Sequence, residues 1–522
     1  MPNKVFIPTA GIGSRLGDLT STINKSLVSL DNKPIISHII KLFPIDTEFV
    51  IALGYKGEIV KEFLENLYPE RKINFVFIDP FIGENSGLGF TLLSCSHLLQ
   101  EPFIFISCDT LVFDKIPSPD HNWISYSDKP NINSYRTVEI ESNIVKNFKE
   151  KGEGLPGRDF PYIGLCGINN YSDFWIGINE SRLKNIEIGE VSGLINLLSK
   201  GLKCYEMNWF DTGNIESLKV AKKKFKRKDS PVILEKKNEA IWFLNEKVIK
   251  FSSDTNFIKN RVIRANQLAG FVPKIQKSSK HMYIYNRAGG DVFSRNSNLP
   301  LFKKLLEYSS TFWQKKELNE FLKKEFKKNC LNFYKEKTST RVKKFFVDFD
   351  QKDQAQIING EKVPTLEKMF ESIDWEYLSN GLPVRFHGDF HFENILWDSE
   401  KNIFVFLDWR QDFAGSLEFG DLYYDLAKLM HGLIVSHKLV DENHYKIQYN
   451  NELINFELKR YQRDVEFENF FNEWIINNNY NLKKVRTLTA LIYLNIAPLH
   501  HKPYNYLLFA LGKLLLYRQL NY

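Results

Sequence analysis

The chain has 522 residues, too many for one hydrophobic core, and this length predicts roughly two to four compact domains. A hydrophobic fraction of 43% and a charged fraction of 25% are those of an ordinary soluble protein. Part of the net charge of +7 lies in the lysine-rich run 222–228, which is more typical of a solvated helix face or a linker than of a nucleic-acid-binding surface. We therefore expect no nucleic-acid partner.

The sequence shows no pattern of secretion or membrane anchoring. The first residues run directly into an apolar strand pattern without the hydrophobic region of a signal peptide, and no apolar stretch approaches the roughly 20 residues that span a bilayer. Five scattered cysteines lack paired or metal-binding spacing, which is typical of reduced core residues. We expect a cytoplasmic protein without a membrane partner; a homo-oligomer stays open.

In residues 1–225, short apolar runs alternate with segments of helical periodicity. This alternation predicts an α/β domain of Rossmann-like type, with a mostly parallel sheet wrapped by helices. The predicted strands are Val5–Ile7, Glu48–Leu53, Ile73–Ile78 and Phe103–Ser107, and the predicted helices are Ile35–Leu42 and Glu58–Leu67.

The pattern changes after a linker that we place at 226–236. Residues 237–300 contain a predicted hairpin and a further strand, whereas 301–522 are mainly helical apart from the strand-rich stretch Val384–Trp409. A small sheet lobe followed by a large helical lobe predicts a bilobal, protein-kinase-like α+β domain over 237–522.

A glycine-rich loop follows the first predicted strand. Glycines there let the backbone approach a polyphosphate with its N–H groups, and Arg15 adds a fixed cation. Lys25 follows ten residues later, before a short predicted strand. A plain tight turn explains a Gly-x-Gly sequence equally well, so the interpretation depends on the surrounding motif. The loop residues are Ala10, Gly11, Gly13 and Ser14.

Over residues 4–225 this arrangement resembles the sugar-phosphate nucleotidyltransferases. The resemblance implies that the glycine loop binds the nucleotide and that Arg15 and Lys25 act in catalysis. Asn24 departs from the family, which usually carries proline before the lysine, and we expect this change to reduce loop rigidity rather than to alter chemistry. The resemblance also assigns Gly87, in the loop Gly83–Gly89, to nucleotide binding, Asp109 and Asp211 to metal binding, and Gly164 and Glu190 to acceptor binding.

The implied chemistry needs these residue types. Attack of a phosphate monoester on the α-phosphorus of a nucleoside triphosphate (NTP) brings two anions together. Mg²⁺ held by Asp109 and Asp211, with Arg15 and Lys25 as cationic clamps, would neutralise that repulsion without a protein nucleophile. Either aspartate alone is equally typical of a helix cap or a turn; the order of the motif pieces favours the metal site.

The sharpest motif is Phe386–Leu396, followed fourteen residues after Asn394 by Asp408. Phosphoryl transfer to a hydroxyl needs a carboxylate that orients or deprotonates the acceptor, and ligands for Mg²⁺ on the ATP phosphates. Asp389 suits the first role, and Asn394 with Asp408 suits the second. The motif closely resembles the catalytic loop of aminoglycoside phosphotransferases and choline kinases, in which the aspartate corresponding to Asp425 is mostly structural.

Three features depart from that second family or compete with it. A metal site on His387 and His391 is the rival interpretation, because their spacing would suit a helix face. Lys250 stands where such kinases place a strand lysine that holds ATP, yet no glutamate partner occurs between residues 246 and 307 and no glycine-rich phosphate loop is present. Arg410 replaces a glutamate that is common in relatives.

A kinase makes a phosphate monoester and a nucleotidyltransferase consumes one, so the fusion predicts consecutive reactions that use Mg²⁺, ATP and a second NTP. We favour a sugar or polyol acceptor and an activated precursor for cell-surface glycans. Choline or ethanolamine phosphorylation with a cytidylyltransferase is the alternative; it needs an aromatic cage, for which Tyr423, Tyr424, Tyr504 and Tyr506 are candidates. A kinase with an amino-terminal binding module, or a non-catalytic scaffold, are two further hypotheses.

Overall fold

The computed structural model describes residues 4–83, 86–129, 132–184, 189–226, 236–450 and 452–520. It contains two compact units. The first comprises Met1–Thr255 and Lys277–Ile284, and the second comprises Asn256–Gln276 and Tyr285–Tyr522. The predicted linker at 226–236 falls on 227–235, which lie outside the described residues.

A nine-stranded sheet forms the centre of the first unit. Four strands at one side run parallel, as the alternating pattern predicts. The other side is largely antiparallel, so the prediction of a mostly parallel sheet was wrong for that side: most of its strands follow one another without the helical crossovers that parallel pairing needs. The exception is Lys203–Glu206, which follows two helices and pairs in parallel with Trp123–Tyr126. In spatial order the strands are Lys72–Phe77, Glu48–Leu53, Lys4–Pro8, Phe103–Ile106, Asp159–Ile168, Trp123–Tyr126, Lys203–Glu206, Ile144–Lys149 and Thr137–Glu141.

Three of the parallel strands are apolar apart from a charged first residue in two of them, because both faces of the sheet are covered there. The edge strand Lys72–Phe77 is more exposed and mixes polar with apolar residues. Alternate residues enter two separate cores: Val5 and Ile7 pack on one side, and Phe6 packs on the other. Six helices belong to this unit: Ile35–Ile40, Gly57–Leu67, Leu88–Cys95, Tyr171–Leu183, Glu190–Ile195 and Ile215–Phe225. All five cysteines of the chain are buried and unpaired, as the sequence predicts.

The hairpin Glu239–Leu244 and Lys247–Ser252 belongs to the first unit, although its sequence suggests the small lobe of a kinase. Trp242 is fully buried in the same core as the amino-terminal helices, 5.3 Å from the Phe63 ring, and its indole donates a hydrogen bond of 3.0 Å to Ser29. The predicted small lobe at 237–300 is thus divided between the two units.

Replacing Trp242 by Ala should destabilise the first unit by about 3–5 kcal/mol, because the change removes a large buried side chain and leaves a cavity. Phe243→Ala is the matched control: the neighbouring side chain points to the opposite face of the strand and is only partly buried, so a smaller loss is expected. Chemical denaturation followed by far-UV circular dichroism, which does not rely on a tryptophan signal, measures the stability of both variants. Equal losses of stability in the two variants would contradict the placement of Trp242 in the core of the first unit.

The second unit combines helices with small sheets. Two of its strands, Ile275–Ser278 and Met282–Asn286, extend into the segment 277–284 of the first unit. The others are Asp291–Val292, Gln356–Ile358, Glu361–Val363, Pro383–Val384, Ile395–Asp398, Ile403–Phe406, Gly420–Asp421, Tyr445–Tyr449 and Leu453–Leu458. Its helices are Thr255–Gln267, Phe293–Asn296, Leu299–Phe312, Glu320–Leu331, Lys337–Asp348, Leu366–Glu371, Trp375–Ser379, Leu422–Ile434, His437–Asp441, Gln462–Asn477, Leu482–Ile496 and Tyr504–Leu520. Among the described residues, none of the helices combines the length and apolar character needed to cross a bilayer.

Candidate active sites

The glycine loop of the first unit leads into a short 3₁₀ helix, Ser14–Thr20. Gly13 has a positive φ of 72°, and a Cβ atom there would lie 2.9 Å from Lys25 Cβ. Only glycine therefore permits both the backbone turn and the close approach of Lys25. Gly11 is exposed, with open space where a side chain would stand, while the carbonyl of Ala10 accepts a hydrogen bond from the Tyr55 amide.

The Asn24 side chain holds this loop in place through three hydrogen bonds. Its buried side-chain amide donates hydrogen bonds of 2.8 Å to the Thr9 carbonyl and 2.6 Å to the Tyr55 carbonyl, and its oxygen accepts from the Ser26 amide at 2.9 Å. The expectation that Asn24 reduces loop rigidity was therefore wrong: hydrogen bonds provide what a proline ring would provide by a fixed φ angle.

Asn24→Ala should lower the free energy of unfolding by about 2–4 kcal/mol, because it leaves two buried carbonyls and one amide without partners. It should also weaken nucleotide binding, since Lys25 follows directly. Asn147→Ala, at an exposed strand position of the same unit, should change stability by less than about 0.5 kcal/mol. Thermal unfolding and nucleotide titration test both variants; similar behaviour of the two would refute the pinning role.

Lys25 and Asp109 meet in a buried ion pair, with 3.1 Å between Lys25 Nζ and Asp109 Oδ2. Burial acts to lower the pKa of Lys25, but the Asp109 carboxylate outweighs it and raises that pKa above its usual range. Burial acts to raise the pKa of Asp109, yet Lys25 and then Arg15 hold it below its usual value. The site therefore keeps a charged lysine and a charged carboxylate side by side.

Asp211 lies next to this pair. Its strand Trp209–Asp211 runs antiparallel to Thr110–Val112, which places Asp211 opposite Thr110, one residue beyond Asp109. A Cβ atom on Gly213 would lie 3.0 Å from Asp109 Oδ2 and 3.1 Å from Asp211 Oδ1. Glycine at 213 thus leaves a cradle between the two carboxylates.

Three groups hold Asp211 in place. The Tyr135 hydroxyl donates to Oδ2 at 3.0 Å, the Asn214 amide donates to the same oxygen at 3.1 Å, and the Gly213 N–H donates to Oδ1 at 2.8 Å. Two carboxylates around an open cradle fit Mg²⁺, which proteins often hold by one or two carboxylates together with substrate phosphates. Sequence reasoning missed Tyr135, because a single tyrosine distant in sequence carries no motif.

The predicted acceptor residues lie farther along the same sheet. Gly164 has φ 70°, and a Cβ there would come within 2.6 Å of Ser107 Oγ, so glycine is required where the strand passes the Asp109 turn. Glu190 begins the helix Glu190–Ile195 and is buried, which raises the pKa of its carboxyl; Arg136 acts in the opposite direction. Glu190 Oε2 accepts no hydrogen bond from the described residues.

Gly87 precedes the helix Leu88–Cys95 with φ 111°. The loop Gly83–Gly89, assigned to nucleotide binding by resemblance, includes residues 84–85, which lie outside the described part of the chain. The amide nitrogens at the start of this helix provide an N-terminus of the kind that binds anions, but no contact in the structure assigns a ligand to it.

In the second unit, a buried carboxylate shapes the catalytic loop. Asp425 accepts hydrogen bonds from the His387 and Gly388 amides, both at 2.7 Å, and from the Trp313 indole at 3.0 Å. Burial raises the pKa of Asp425 to about 6, and these hydrogen bonds act to lower it. Gly388 adopts φ 87°, and a side chain there would collide with Arg410. Asp425 is therefore structural, as the resemblance implies.

Asp389 stands at the tip of this loop. Its Oδ1 pairs with Lys428 Nζ at 2.7 Å, and its Oδ2 accepts a hydrogen bond of 3.1 Å from the Asn394 amide. Burial acts to raise the pKa of Asp389, but Lys428 and His391 hold it well below its usual value. These contacts favour the charged carboxylate, and the side chain is still 40% exposed and open to a substrate.

Asn394 and Asp408 come together through the backbone, because the Leu407 amide donates to the Asn394 carbonyl at 2.7 Å. The Asn394 side-chain nitrogen contacts Asp389 and His391, so the amide oxygen of the same side chain points away from them. Oxygen atoms of this kind are the ligands that Mg²⁺ prefers. An amide oxygen and the Asp408 carboxylate are donors that fit magnesium, which would neutralise charge on the ATP phosphates.

The rival histidine site is not supported. His387 and His391 lie in an irregular loop rather than on a helix face, so the spacing argument for a shared metal fails. Burial lowers the pKa of His387 to about 3, and its Nδ1 accepts a hydrogen bond from the Asp389 amide. Among the described residues, no group of three His, Cys, Asp or Glu side chains could hold a metal ion.

Lys250 lies in the strand Lys247–Ser252 of the first unit, opposite Ile241. The helix that follows, Thr255–Gln267, contains no glutamate. The structure therefore leaves the assignment of Lys250 to ATP binding as a prediction. Lys428 is the functional candidate that sequence reasoning missed; a lysine at a helical position gives no local sign of a carboxylate 39 residues earlier in the chain.

The folds and the two carboxylate sites define a nucleotidyltransferase-like unit joined to a phosphotransferase-like unit. The phosphotransferase enzyme family (APH) matches residues 329–447, a range that includes Asp389, Asn394 and Asp408. The resemblance proposed from the catalytic loop is thereby confirmed for this part of the chain.

The amino-terminal part is similar to sugar-phosphate nucleotidyltransferases. It is 39% identical over 88 residues (16% of this chain) to a probable glucose-1-phosphate cytidylyltransferase of Bacillus subtilis (strain 168), 34% of whose length is covered. It is 26% identical over 166 residues to the D-glycero-alpha-D-manno-heptose 1-phosphate guanylyltransferase of Aneurinibacillus thermoaerophilus, covering 30% of this chain and 70% of that protein. A crystal structure of UDP-glucose pyrophosphorylase complexed with UDP-glucose matches 43% of this chain and 98% of its own, with 19% identity and a TM-score of 0.37.

Proposed function

We propose that this protein is a bifunctional transferase that carries out two consecutive reactions. The second unit transfers the γ-phosphoryl group of ATP to a hydroxyl compound, releasing ADP. The first unit then couples the resulting phosphate monoester to the α-phosphorus of an NTP, releasing pyrophosphate. The observation that carries the proposal is the convergence of Lys25, Asp109 and Asp211 around the cradle at Gly213.

In the first reaction, Asp389 orients the acceptor hydroxyl and receives its proton as the oxygen attacks the γ-phosphorus. Its low pKa keeps it ready to accept a hydrogen bond, and Lys428 fixes one of its oxygens. Magnesium held by Asn394 and Asp408 would neutralise the ATP phosphates. Asp425 acts indirectly, by holding the backbone of His387 and Gly388 in position.

In the second reaction, a phosphate oxygen of the monoester attacks the NTP, and the bond to pyrophosphate breaks. Lys25 and Arg15 are positioned to stabilise negative charge beside Asp109. Magnesium at Asp109 and Asp211 would supply further neutralisation. Glu190, buried and with a free oxygen, is positioned as an acceptor for a hydrogen bond from a substrate hydroxyl.

The acceptor is proposed to be a sugar or polyol, because the relatives named above act on sugar 1-phosphates. The aromatic cage required by choline is poorly supported: Tyr424 packs edge-on to Phe333 at 4.9 Å, and Tyr506 stacks on Tyr449 at 4.2 Å. Tyr423 and Tyr504 are buried. We further propose a cytoplasmic enzyme that activates a precursor for surface glycans, since its ATP and NTP substrates are cytoplasmic.

The test is to incubate the wild-type protein with Mg²⁺, ATP, each of the four NTPs in turn and a set of sugars, polyols, choline and ethanolamine, and to follow the products by mass. We expect a phosphate ester that depends on ATP, and a nucleoside diphosphate derivative accompanied by pyrophosphate. Absence of pyrophosphate with every NTP would favour the binding-module hypothesis. Absence of any ATP-dependent phosphorylation would favour the scaffold.

A further inference from the structure

Four cationic side chains gather near Asp389, and the reactions described above use only one of them. Lys428 lies on the helix Leu422–Ile434 and contacts Asp389 Oδ1. Arg410 lies two residues after Asp408, in the loop that follows the strand Ile403–Phe406. Lys337 and Arg341 lie one turn apart at the start of the helix Lys337–Asp348.

An aromatic ring joins two of these cations. Lys337 Nζ lies 4.1 Å from the centre of the Phe333 ring, and the Arg410 guanidinium carbon lies 4.9 Å from the same centre. Phe333 belongs to a π-helical segment, Asn332–Glu336, inserted before the helix of Lys337. Such segments are rare and often occur at functional sites.

The cluster has an excess of positive charge. Lys428 is paired with Asp389, but among the described residues neither Lys337 nor Arg341 has a carboxylate within ion-pair distance, and the Arg410 Nε donates only to the Asp412 backbone carbonyl at 3.1 Å. Burial lowers the pKa of Lys337 to about 6, helped by Arg410, Lys428 and Arg341. A bound anion would favour the charged form of Lys337 and offset the repulsion among the neighbouring cations.

The two carboxylate oxygens of Asp389 face different groups, one on the side of the proposed nucleotide site and one on the side of the cationic cluster. Oδ2 faces Asn394, the proposed ligand for the metal on ATP, whereas Oδ1 faces Lys428, which belongs to the cationic cluster. Lys428 therefore joins the cluster to the Asp389 oxygen that Asn394 does not contact, and we take this as the side on which the acceptor hydroxyl approaches.

We propose that the acceptor phosphorylated by the second unit carries an anionic group of its own, a carboxylate or a phosphate, which binds Lys337, Arg341 and Arg410. This inference rests on the proposed kinase function and narrows its substrate to anionic hydroxyl compounds. It disfavours choline, ethanolamine and aminoglycosides, because a cationic acceptor would be repelled by the same three side chains.

The test compares matched acceptors of different charge. With wild-type enzyme and ATP, ADP release and product mass are measured for D-glycerate, sn-glycerol 3-phosphate, glycerol, D-gluconate, glucose, choline and ethanolamine. We expect an anionic member to exceed its neutral counterpart in kcat/KM by about tenfold or more, as a charge-assisted contact provides. The two glycerol derivatives distinguish a carboxylate from a phosphate. Preference for a neutral or cationic member, or no phosphorylation of any anionic one, overturns the proposal.

Lys337→Gln and Arg341→Gln should reduce that preference to about twofold or less, by raising KM for the anionic acceptor. Lys344→Gln is the matched control, since Lys344 is on the same helix but pairs with Asp348, and it should leave the preference unchanged. A rise in KM for ATP with the preference intact would assign the cluster to the nucleotide and overturn the proposal.

Binding is measured separately, by the thermal stabilisation that D-glycerate and sn-glycerol 3-phosphate give to the wild-type protein and to the Lys337→Gln/Arg341→Gln double variant. We expect stabilisation of the wild type by at least one of the two, and none of the variant. If the anions stabilise the wild type alone but no acceptor is phosphorylated with ATP, the proposed kinase function is wrong and the anion site is retained. Equal responses of the two proteins would overturn the anion site.

Discussion

Asp109→Asn is expected to slow pyrophosphate release by about 10³-fold or more, while ATP-dependent phosphorylation by the same protein stays within about twofold of the wild type. Asp109 has two functions that asparagine cannot replace. Its charge holds Lys25 at 3.1 Å, and its Oδ2 forms one side of the cradle at Gly213. The uncharged amide would weaken metal binding and leave the partly buried Lys25 without its ion-pair partner.

Asp18→Asn is the matched control for this variant. Asp18 lies in the 3₁₀ helix that follows the glycine loop, but its side chain is 93% exposed, so the substitution should leave both activities unchanged. Pyrophosphate release is measured with the sugar 1-phosphate and NTP that the wild type uses. Pyrophosphate release at the wild-type rate from Asp109→Asn would remove Asp109 from the proposed catalytic site. Loss of both activities would indicate a folding defect, which circular dichroism detects.

The parts of the fold that could be predicted are those with a local cause. The inner parallel strands of the first unit are nearly continuous apolar runs, and that pattern follows from burial on both faces. The glycine loop and the loop around Asp389 each combine several functional residues within about a dozen positions, so their spacing carries information without any knowledge of distant contacts. Asp211 could be assigned only through its place in a longer motif.

The features that could not be predicted depend on contacts between distant residues. Trp242 sits in a strand whose apolar pattern is the same whichever core it enters, so the sequence did not reveal that it packs with Phe63. Lys428 and Lys337 look like ordinary solvated lysines of helices, and only the fold brings them to Asp389. Asn24 could be recognised as a departure from a family, but its three hydrogen bonds became visible only in the structure.

Asp389→Asn is expected to lower kcat for ATP-dependent phosphorylation by about 10³-fold, within the range that general-base residues contribute. Asparagine keeps the size of the side chain and can still accept from Asn394, so the loop should retain its shape. It cannot take the acceptor proton, and its neutral amide no longer pairs with Lys428. Because chemistry is impaired more than binding, KM for ATP should change by less than about threefold.

Two comparisons show whether this loss arises from the missing charge. Asp348→Asn removes a carboxylate from the helix Lys337–Asp348 that pairs with Lys344, and it should have no effect on kcat. Asp389→Glu retains the charge but displaces it by one methylene, so it should recover part of the activity that Asp389→Asn loses. If Asp389→Asn and Asp389→Glu both phosphorylate at the wild-type rate, the proton acceptor must lie elsewhere. If Asp389→Asn alone retains activity, the carboxylate acts by position rather than by charge, and the low pKa imposed by Lys428 and His391 has no catalytic role.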